Sequence, residues 1–300
     1  MEVDRQLPVG GEIFLDHLAH FVADRDAAAN ALARAGFAPT PISIQTDGGQ
    51  LTGTGNVTAM LTRGYIEVLF KTADTPLGRE LDGALARHPG VHLIAFAVAD
   101  AARASVRLKG AGFRVRPIVE LRRPVATETG TAEAAFTVAR VEAGEMAEGR
   151  IQILTHHTED AVWQKRWLAH PNGAKELIDA VVVVADVDEA AARFARFTGR
   201  NPVATKMGES IFLDRGGVQL FDNATFARSV PGVPIPNLPF IGLYAVRVEA
   251  LIGAANVLRA TGMKFEQRDR MLFVPFPEEL GQGAWVFVER AADLPWRANS

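Results

Sequence analysis

Apolar and polar positions along the chain fall into a pattern that recurs four times. Residues 13–22, IFLDHLAHFV, form an apolar run of strand length interrupted by Asp16, His17 and His20. RDAAANALARAGF follows, alanine-rich with helical spacing, and stops at Gly36. Glycine just past the last turn is the usual helix stop, because it enters the left-handed region without steric cost. The same phrase returns as VHLIAFAVADAARASVRLKGAGF with Gly112, as IDAVVVVADVDEAAARFARFTGR with Gly199, and more weakly as LYAVRVEALIGAANVLRATGM with Gly262. Each copy is followed by a second matched strand: RGYIEVLF, EGRIQILT, RGGVQLFD and QGAWVFVE. In all four a glycine stands three residues before a common position, held by Glu67, Gln152, Gln219 and Val286. The residues between mix turn signals with short alternating runs, as two strands joined by loops would. Each unit therefore reads β-α-β-β-β.

A unit this small cannot bury its sheet face alone, so units must pair. The predicted fold is α+β, with four βαβββ modules paired into two cup-shaped, partly open barrels. Residues 11–160 form the first pair, 161–176 a linker and 177–291 the second pair. The proline-rich VPGVPIPNLPF reads as an extended connection between modules three and four. The insert from Pro117 to Met146 is longer than its counterparts and reads either as a lid or as a longer hairpin.

Aligned on the cap glycines, His17, His92, Asp179 and Leu243 fall at or within one residue of a common first-strand position. Side chains alternate across a strand, so Tyr65, Glu67 and Leu69 share one face while Ile66, Val68 and Phe70 form an apolar face for a helix. His17 and His20 are three apart and point to opposite faces; the repeat selects His17. Two histidines, a carboxylate and an amide converging from paired modules suit a divalent first-row metal. A plainer reading has His17, Glu67, His92 and Gln152 hydrogen-bonding to one another or to a ligand, since a lone buried carboxylate is costly unless paired. Asp179 and Gln219 read as remnants of a second site. Arg63, Arg122, Arg123 and Arg150 could hold an anionic substrate, with solvated surface as the default. His156 and His157 read as surface residues near the pocket mouth. Trp163 and Trp167 are four apart, a packing interval. DGGQLTGTGN lacks the lysine and following helix of a phosphate loop.

Composition narrows the partners. Apolar residues make up 48% and charged residues 22%, the balance of a globular core-forming chain, and the formal charge is −3. Without a basic surplus nucleic acid is not an expected partner. With no cysteine there are no disulfides, thiolate ligands or cysteine nucleophiles. MEVDRQLPVGGEIF has neither the basic start nor the apolar core of a signal peptide, and no apolar run reaches membrane length. The expectation is a cytoplasmic protein acting on a small-molecule substrate, with a homodimer left open.

The motifs LDHLAHFVAD…ARAGF, GTGN, GYIEVLF, VHLIAFAVAD…GAGF and RIQIL resemble the vicinal oxygen chelate superfamily, closest to its glyoxalase-like bacterial branch. That group includes glyoxalase I, extradiol dioxygenases and bleomycin-resistance proteins. The resemblance implies a metal held by His17, Glu67, His92 and Gln152, the ion being zinc, nickel, manganese, magnesium or iron. It implies a lyase or isomerase that chelates two neighbouring oxygens of its substrate, with Glu67 as ligand and base. Gln152 departs from the family, because an amide cannot act as a general base. The alternatives are an Fe(II) extradiol-type dioxygenase and a metal-free small-molecule binding or resistance protein.

Overall fold

The computed structural model describes residues 5–47, 50–230 and 232–297, so residues 1–4, 48, 49, 231 and 298–300 fall outside the description. The first module runs β1 (Ile13–Val22), α1 (Arg25–Arg34), β2 (Ser43–Asp47), β3 (Gln50–Met60) and β4 (Tyr65–Lys71). Helix α2 (Pro76–Arg87) leads to β5 (Gly90–Val98), α3 (Ala101–Gly110), β6 (Val119–Thr127), β7 (Gly130–Arg140) and β8 (Arg150–His156). A single turn, α4 (Glu159–Val162), precedes β9 (Ala174–Val183), α5 (Val187–Thr198), β10 (Pro202–Thr205), β11 (Gly208–Phe212) and β12 (Gly217–Phe221). After α6 (Asn223–Ser229) come β13 (Phe240–Val248), α7 (Leu251–Ala260), β14 (Glu266–Arg268), β15 (Met271–Pro275) and β16 (Ala284–Val288). The repeated β-α-β-β-β order is present four times.

Local chemistry sets these elements. Asp24, Asp100 and Asp186 each accept backbone N–H groups at the start of α1, α3 and α5, satisfying donors that a helix end leaves open. The fourth copy has Ala250 there and borrows Glu289, which accepts from Leu251 N at 2.9 Å. Gly36, Gly112, Gly199 and Gly262 have φ of 81°, 90°, 71° and 70°, the left-handed stop their position requires. Helix α2 was not foreseen. Its signals are Thr75, whose Oγ1 accepts from Gly78 N at 3.0 Å, and Pro76 in the first turn.

The strands form an α+β fold around a closed barrel. Its eight strands run β1–β4–β3–β2–β6–β7–β8–β5 and return to β1, with modules one and two pairing within the chain. Closure comes from Thr46 opposite Arg122 on β2 and β6, so the expected partial opening is absent here. The Pro117–Met146 insert is the hairpin β6–β7, a wall of the barrel rather than a lid. The other strands follow the same plan, β10–β11–β12–β9–β13–β16–β15–β14, but no pairing joins β10 to β14 among the described residues. The two runs meet where Ile241 of β13 pairs with Val91 of β5. Across this junction His20 is fully buried, bonded to Tyr244 Oη and Leu280 O, each at 2.8 Å. No helix among the described residues is long and apolar enough to cross a membrane.

Candidate functional site

Register decides which side chains enter the barrel. The first strand of each module carries a β-bulge, at Asp16, His92, Ile178 and Gly242. Beside each bulge lies the glycine that immediately precedes the last strand. A Cβ on Gly64 would stand 2.7 Å from Asp16 O, and one on Gly149 would stand 2.4 Å from His92 O. On Gly216 it would meet Ile178 O at 2.9 Å, and on Gly283 it would meet Gly242 O at 2.8 Å. This close approach of two backbones is why glycine precedes the shared position by three residues. It also makes residues 16, 92, 178 and 242 equivalent. The first-strand positions that match are therefore His17, Leu93, Asp179 and Leu243.

His92 is thus the counterpart of Asp16, not of His17. A shift of one residue reverses the face on which a strand side chain lies. Leu93 lines the barrel pocket with His17, whereas His92 lines a neighbouring cavity with Phe21, Glu80, Arg87 and Arg116, the two sharing Arg140 and Arg150. There His92 Nε2–H donates to His88 O at 2.7 Å and its ring stacks on His88 at 4.1 Å. Burial holds its pKa down to about 4.

Inside the closed barrel, His17, Glu67 and Gln152 do converge, joined by Asn56, Tyr65, Arg123 and Arg140 over a floor that includes Leu69, Leu93, Val138 and Leu154. Tyr65, Glu67 and Leu69 face the pocket, while Ile66, Val68 and Phe70 join the core with Ala28, Ala31 and Leu32 of α1. The alternation in β4 is as the sequence predicts. His17 Nε2 lies 3.6 Å from Glu67 Oε2, and its ring stacks on Tyr65 at 4.3 Å. Asn56 Nδ2–H donates to Glu67 Oε1 at 2.6 Å.

Behind His17 stands a carboxylate that the sequence reading left unassigned. Asp16, fully buried, accepts from His17 Nδ1–H at 2.7 Å and from His156 Nε2–H at 2.9 Å. Burial alone would raise its pKa, but His156 and His17 outweigh that and hold it well below the usual carboxylate range. The bulge at Asp16 turns its side chain toward its neighbour, a common use of bulges beside binding sites. His156, expected at the surface, is 5% exposed and sits edge-on to Trp163 at 4.6 Å. Trp163 itself packs against Tyr65 at 6.0 Å, although it follows the end of α4 and does not share a helix with Trp167.

The pocket has more positive than negative groups. Arg150 is paired with Glu80 at 2.9 Å and Arg122 with Glu133 at 2.5 Å. Arg140 Nε–H donates to Gln152 Oε1 at 3.0 Å, but its terminal nitrogens meet no carboxylate among the described residues. Arg123 lies over the Phe136 ring at 6.0 Å and likewise has no ion-pair partner among those residues. Burial, with Arg150 close by, pulls Arg140 down to about 9, and burial also lowers Arg123. Arg140 was missed from sequence. The available signal was FTVAR, where Phe136, Val138 and Arg140 alternate onto one face and Arg140 pairs with Gln152.

A family profile described as a glyoxalase-like domain matches residues 15–198, well over half of the chain. The chain belongs to the glyoxalase-like family of the vicinal oxygen chelate superfamily. Among solved structures, a hypothetical protein from Staphylococcus aureus is similar over 92% of this chain and 98% of its own, with a TM-score of 0.65 and 10% identity. A variant of 4-hydroxymandelate synthase from Streptomyces coelicolor aligns over 93% of both chains, with a TM-score of 0.61 and 14% identity. A xylose isomerase-like TIM barrel/4-hydroxyphenylpyruvate dioxygenase fusion protein aligns over 98% of this chain and 52% of its own, with a TM-score of 0.57 and 11% identity. At these identities the likeness is one of fold. No curated protein matches.

The metal centre that the resemblance implies is not formed. Among the described residues no group of three or more His, Cys, Asp or Glu side chains could hold a metal ion. Of the expected set His17, Glu67, His92 and Gln152, His92 lines the other cavity, leaving one imidazole, one carboxylate and an amide already bonded to Arg140. The expectation of a divalent cofactor, and of a metal-dependent lyase or isomerase with Glu67 as ligand and base, is overturned by this arrangement. The Fe(II) dioxygenase alternative requires the same ligands and falls with it.

Proposed function

We propose that this protein binds a small organic molecule in the closed barrel of residues 11–160, with side chains alone holding the ligand. The observation that carries this reading is the pocket itself. It sets a few convergent polar groups, His17, Asn56, Glu67, Arg123, Arg140 and Gln152, over an apolar floor, the usual make-up of a small-molecule site. Glu67 and His17 act here as hydrogen-bond acceptors for the ligand. Residues 177–291 are the degenerate partner, a second cup of the same plan left open, with residues 161–176 linking the two. Asp179 is taken by Arg297, at 2.6 Å through two nitrogens, and by Trp296 Nε1–H at 2.8 Å. Gln219 bonds Ser210, while Leu243 and Val286 lie in an apolar cluster with Leu294 and Trp296.

Thermal unfolding with a chemically varied set of small molecules, in the presence of a chelator, tests this. At least one compound class should raise the melting temperature of the native chain and lose its effect in Val138→Trp, which fills the pocket. Stabilisation that requires an added divalent ion would overturn the reading, as would the absence of any binder.

A further inference from the structure

The barrel interior also constrains what its ligand carries, an inference that rests on the small-molecule reading above. Two features of the pocket lack a complement within the protein. The first is a pair of acceptors. Asp16 is an acceptor on both oxygens and takes the Nδ1–H of His17, so the other ring nitrogen presents a lone pair when the ring is neutral, the form in which it accepts from a ligand. That nitrogen faces Glu67 Oε2 at 3.6 Å, and the other oxygen of Glu67 is already occupied by Asn56. Two acceptors facing each other call for a donor between them. The second feature is the guanidinium pair, Arg123 and Arg140, which have no carboxylate partner among the described residues and line the same pocket. Half-buried cations with no ion-pair partner of their own keep part of their desolvation cost, which Glu67 in the same pocket offsets only in part.

Each simpler ligand satisfies one feature and offends the other. A neutral alcohol would donate to His17 and Glu67 but leave both guanidiniums unpaired. An anion without a donor would pair with the arginines but leave the acceptors unmet, and an unmet buried acceptor costs its full desolvation. An ammonium would suit Glu67 and be repelled by Arg123 and Arg140. Rejection therefore works in three directions, which is how specificity is built. The leucines at 69, 93 and 154, with Val138 and Phe136, leave a hydrocarbon surface for the body of the molecule.

We propose that the ligand is a small organic anion that also bears a hydroxyl or enol O–H. Its negative group sits against Arg123 and Arg140, and its O–H donates to His17 Nε2 and Glu67 Oε2. Asp16 and His156 are positioning residues, which fix the His17 ring so that the accepting nitrogen faces inward.

Titration calorimetry on the full chain, with chelator present, tests both halves. The probes are 3-hydroxybenzoate, benzoate and methyl 3-hydroxybenzoate, with 3-hydroxybutyrate, butyrate and methyl 3-hydroxybutyrate as an aliphatic set. In at least one set the hydroxy acid should bind at least tenfold more tightly than both its deoxy acid and its ester. Arg140→Gln should abolish the preference for acid over ester while the preference for hydroxyl over hydrogen survives. Glu67→Gln should do the reverse. These are ratios within one variant, so they separate recognition from general loss of fold. Equal affinity for acid and ester, or for hydroxylated and deoxy acids, overturns the proposal. So does the failure of both sets to bind while neutral or amine compounds stabilise the chain, an outcome that leaves the small-molecule reading intact. If nothing in the varied set binds, both fail together.

Discussion

The two eight-strand runs of this protein share a plan and differ in what fills them. In the first, the equivalent positions of four strands hold His17, Leu93, Glu67 and Gln152, and the interior remains a pocket. In the second they hold Asp179, Leu243, Gln219 and Val286, and the C-terminal residues Leu294, Trp296 and Arg297 close over them. The backbone device is the same in both, a bulge met by a glycine. Strand geometry therefore survives duplication, while a site depends on a few side chains and on whether any other segment covers them. In the first barrel His17 and Glu67 face the pocket, whereas in the second run Asp179 is bonded to Arg297.

The largest expected effect comes from uncovering the second cup. Trp296→Ala removes a side chain 3% exposed and strips Asp179 of one donor. A stability loss of about 4 kcal/mol is expected from large-to-small core changes of this kind, read as a lower urea midpoint. A neutral result would mean that the C-terminus does not plug the second cup. Next is Asp16→Asn in the first cup, which leaves two buried imidazoles sharing an amide that offers one acceptor. Breaking a buried charged contact costs about 3 kcal/mol, and binding in the barrel should weaken as His17 loses its orientation.

Acid should act on the junction and on the flank of the first cup before it reaches the pocket. His20 and His92 both have folded pKa values of about 4, below the ordinary histidine value of 6.5, because burial disfavours their charged forms. The unfolded chain binds protons first, so their contribution is present above pH 6.5 and is lost as pH falls toward 4. At pH 5 each removes about 2 kcal/mol. Urea titrations at pH 7 and pH 5 check this, and His20→Phe should flatten its share of the slope. Asp16 adds a further loss only at lower pH, below the ordinary carboxylate range, because its folded pKa is depressed.

Leu93→His combined with His92→Leu should cost about 2 kcal/mol, from His88 O left without its donor. It is the sharpest test of register. This pair moves the second imidazole onto the face that His17 occupies, and zinc binding measured by calorimetry should appear in the variant at least tenfold above the native chain. Without that gain, residues 17 and 93 would not be equivalent.

Much of the fold was legible because its signals are local. The cap glycines, the aspartates that start three helices and the alternation of Tyr65, Glu67 and Leu69 each follow from a few neighbouring residues and from sterics that hold in any chain. So did the recurrence of four modules, which set Glu67, Gln152, Gln219 and Val286 at one shared position. What the sequence alone could not settle was parity. An alignment good to one residue suffices for a helix stop but not for a strand, where a single step exchanges inside for outside. The bulges at Asp16 and His92 are held by carbonyls packed against Gly64 and Gly149, contacts between strands far apart along the chain. The same holds for His156 reaching Asp16 from 140 residues away and for Arg297 reaching Asp179 across 118. Those pairings, and the barrel closure that brings Arg123 and Arg140 to one pocket, exist only once the sheet has curled, because no local rule specifies which distant backbone a strand will meet.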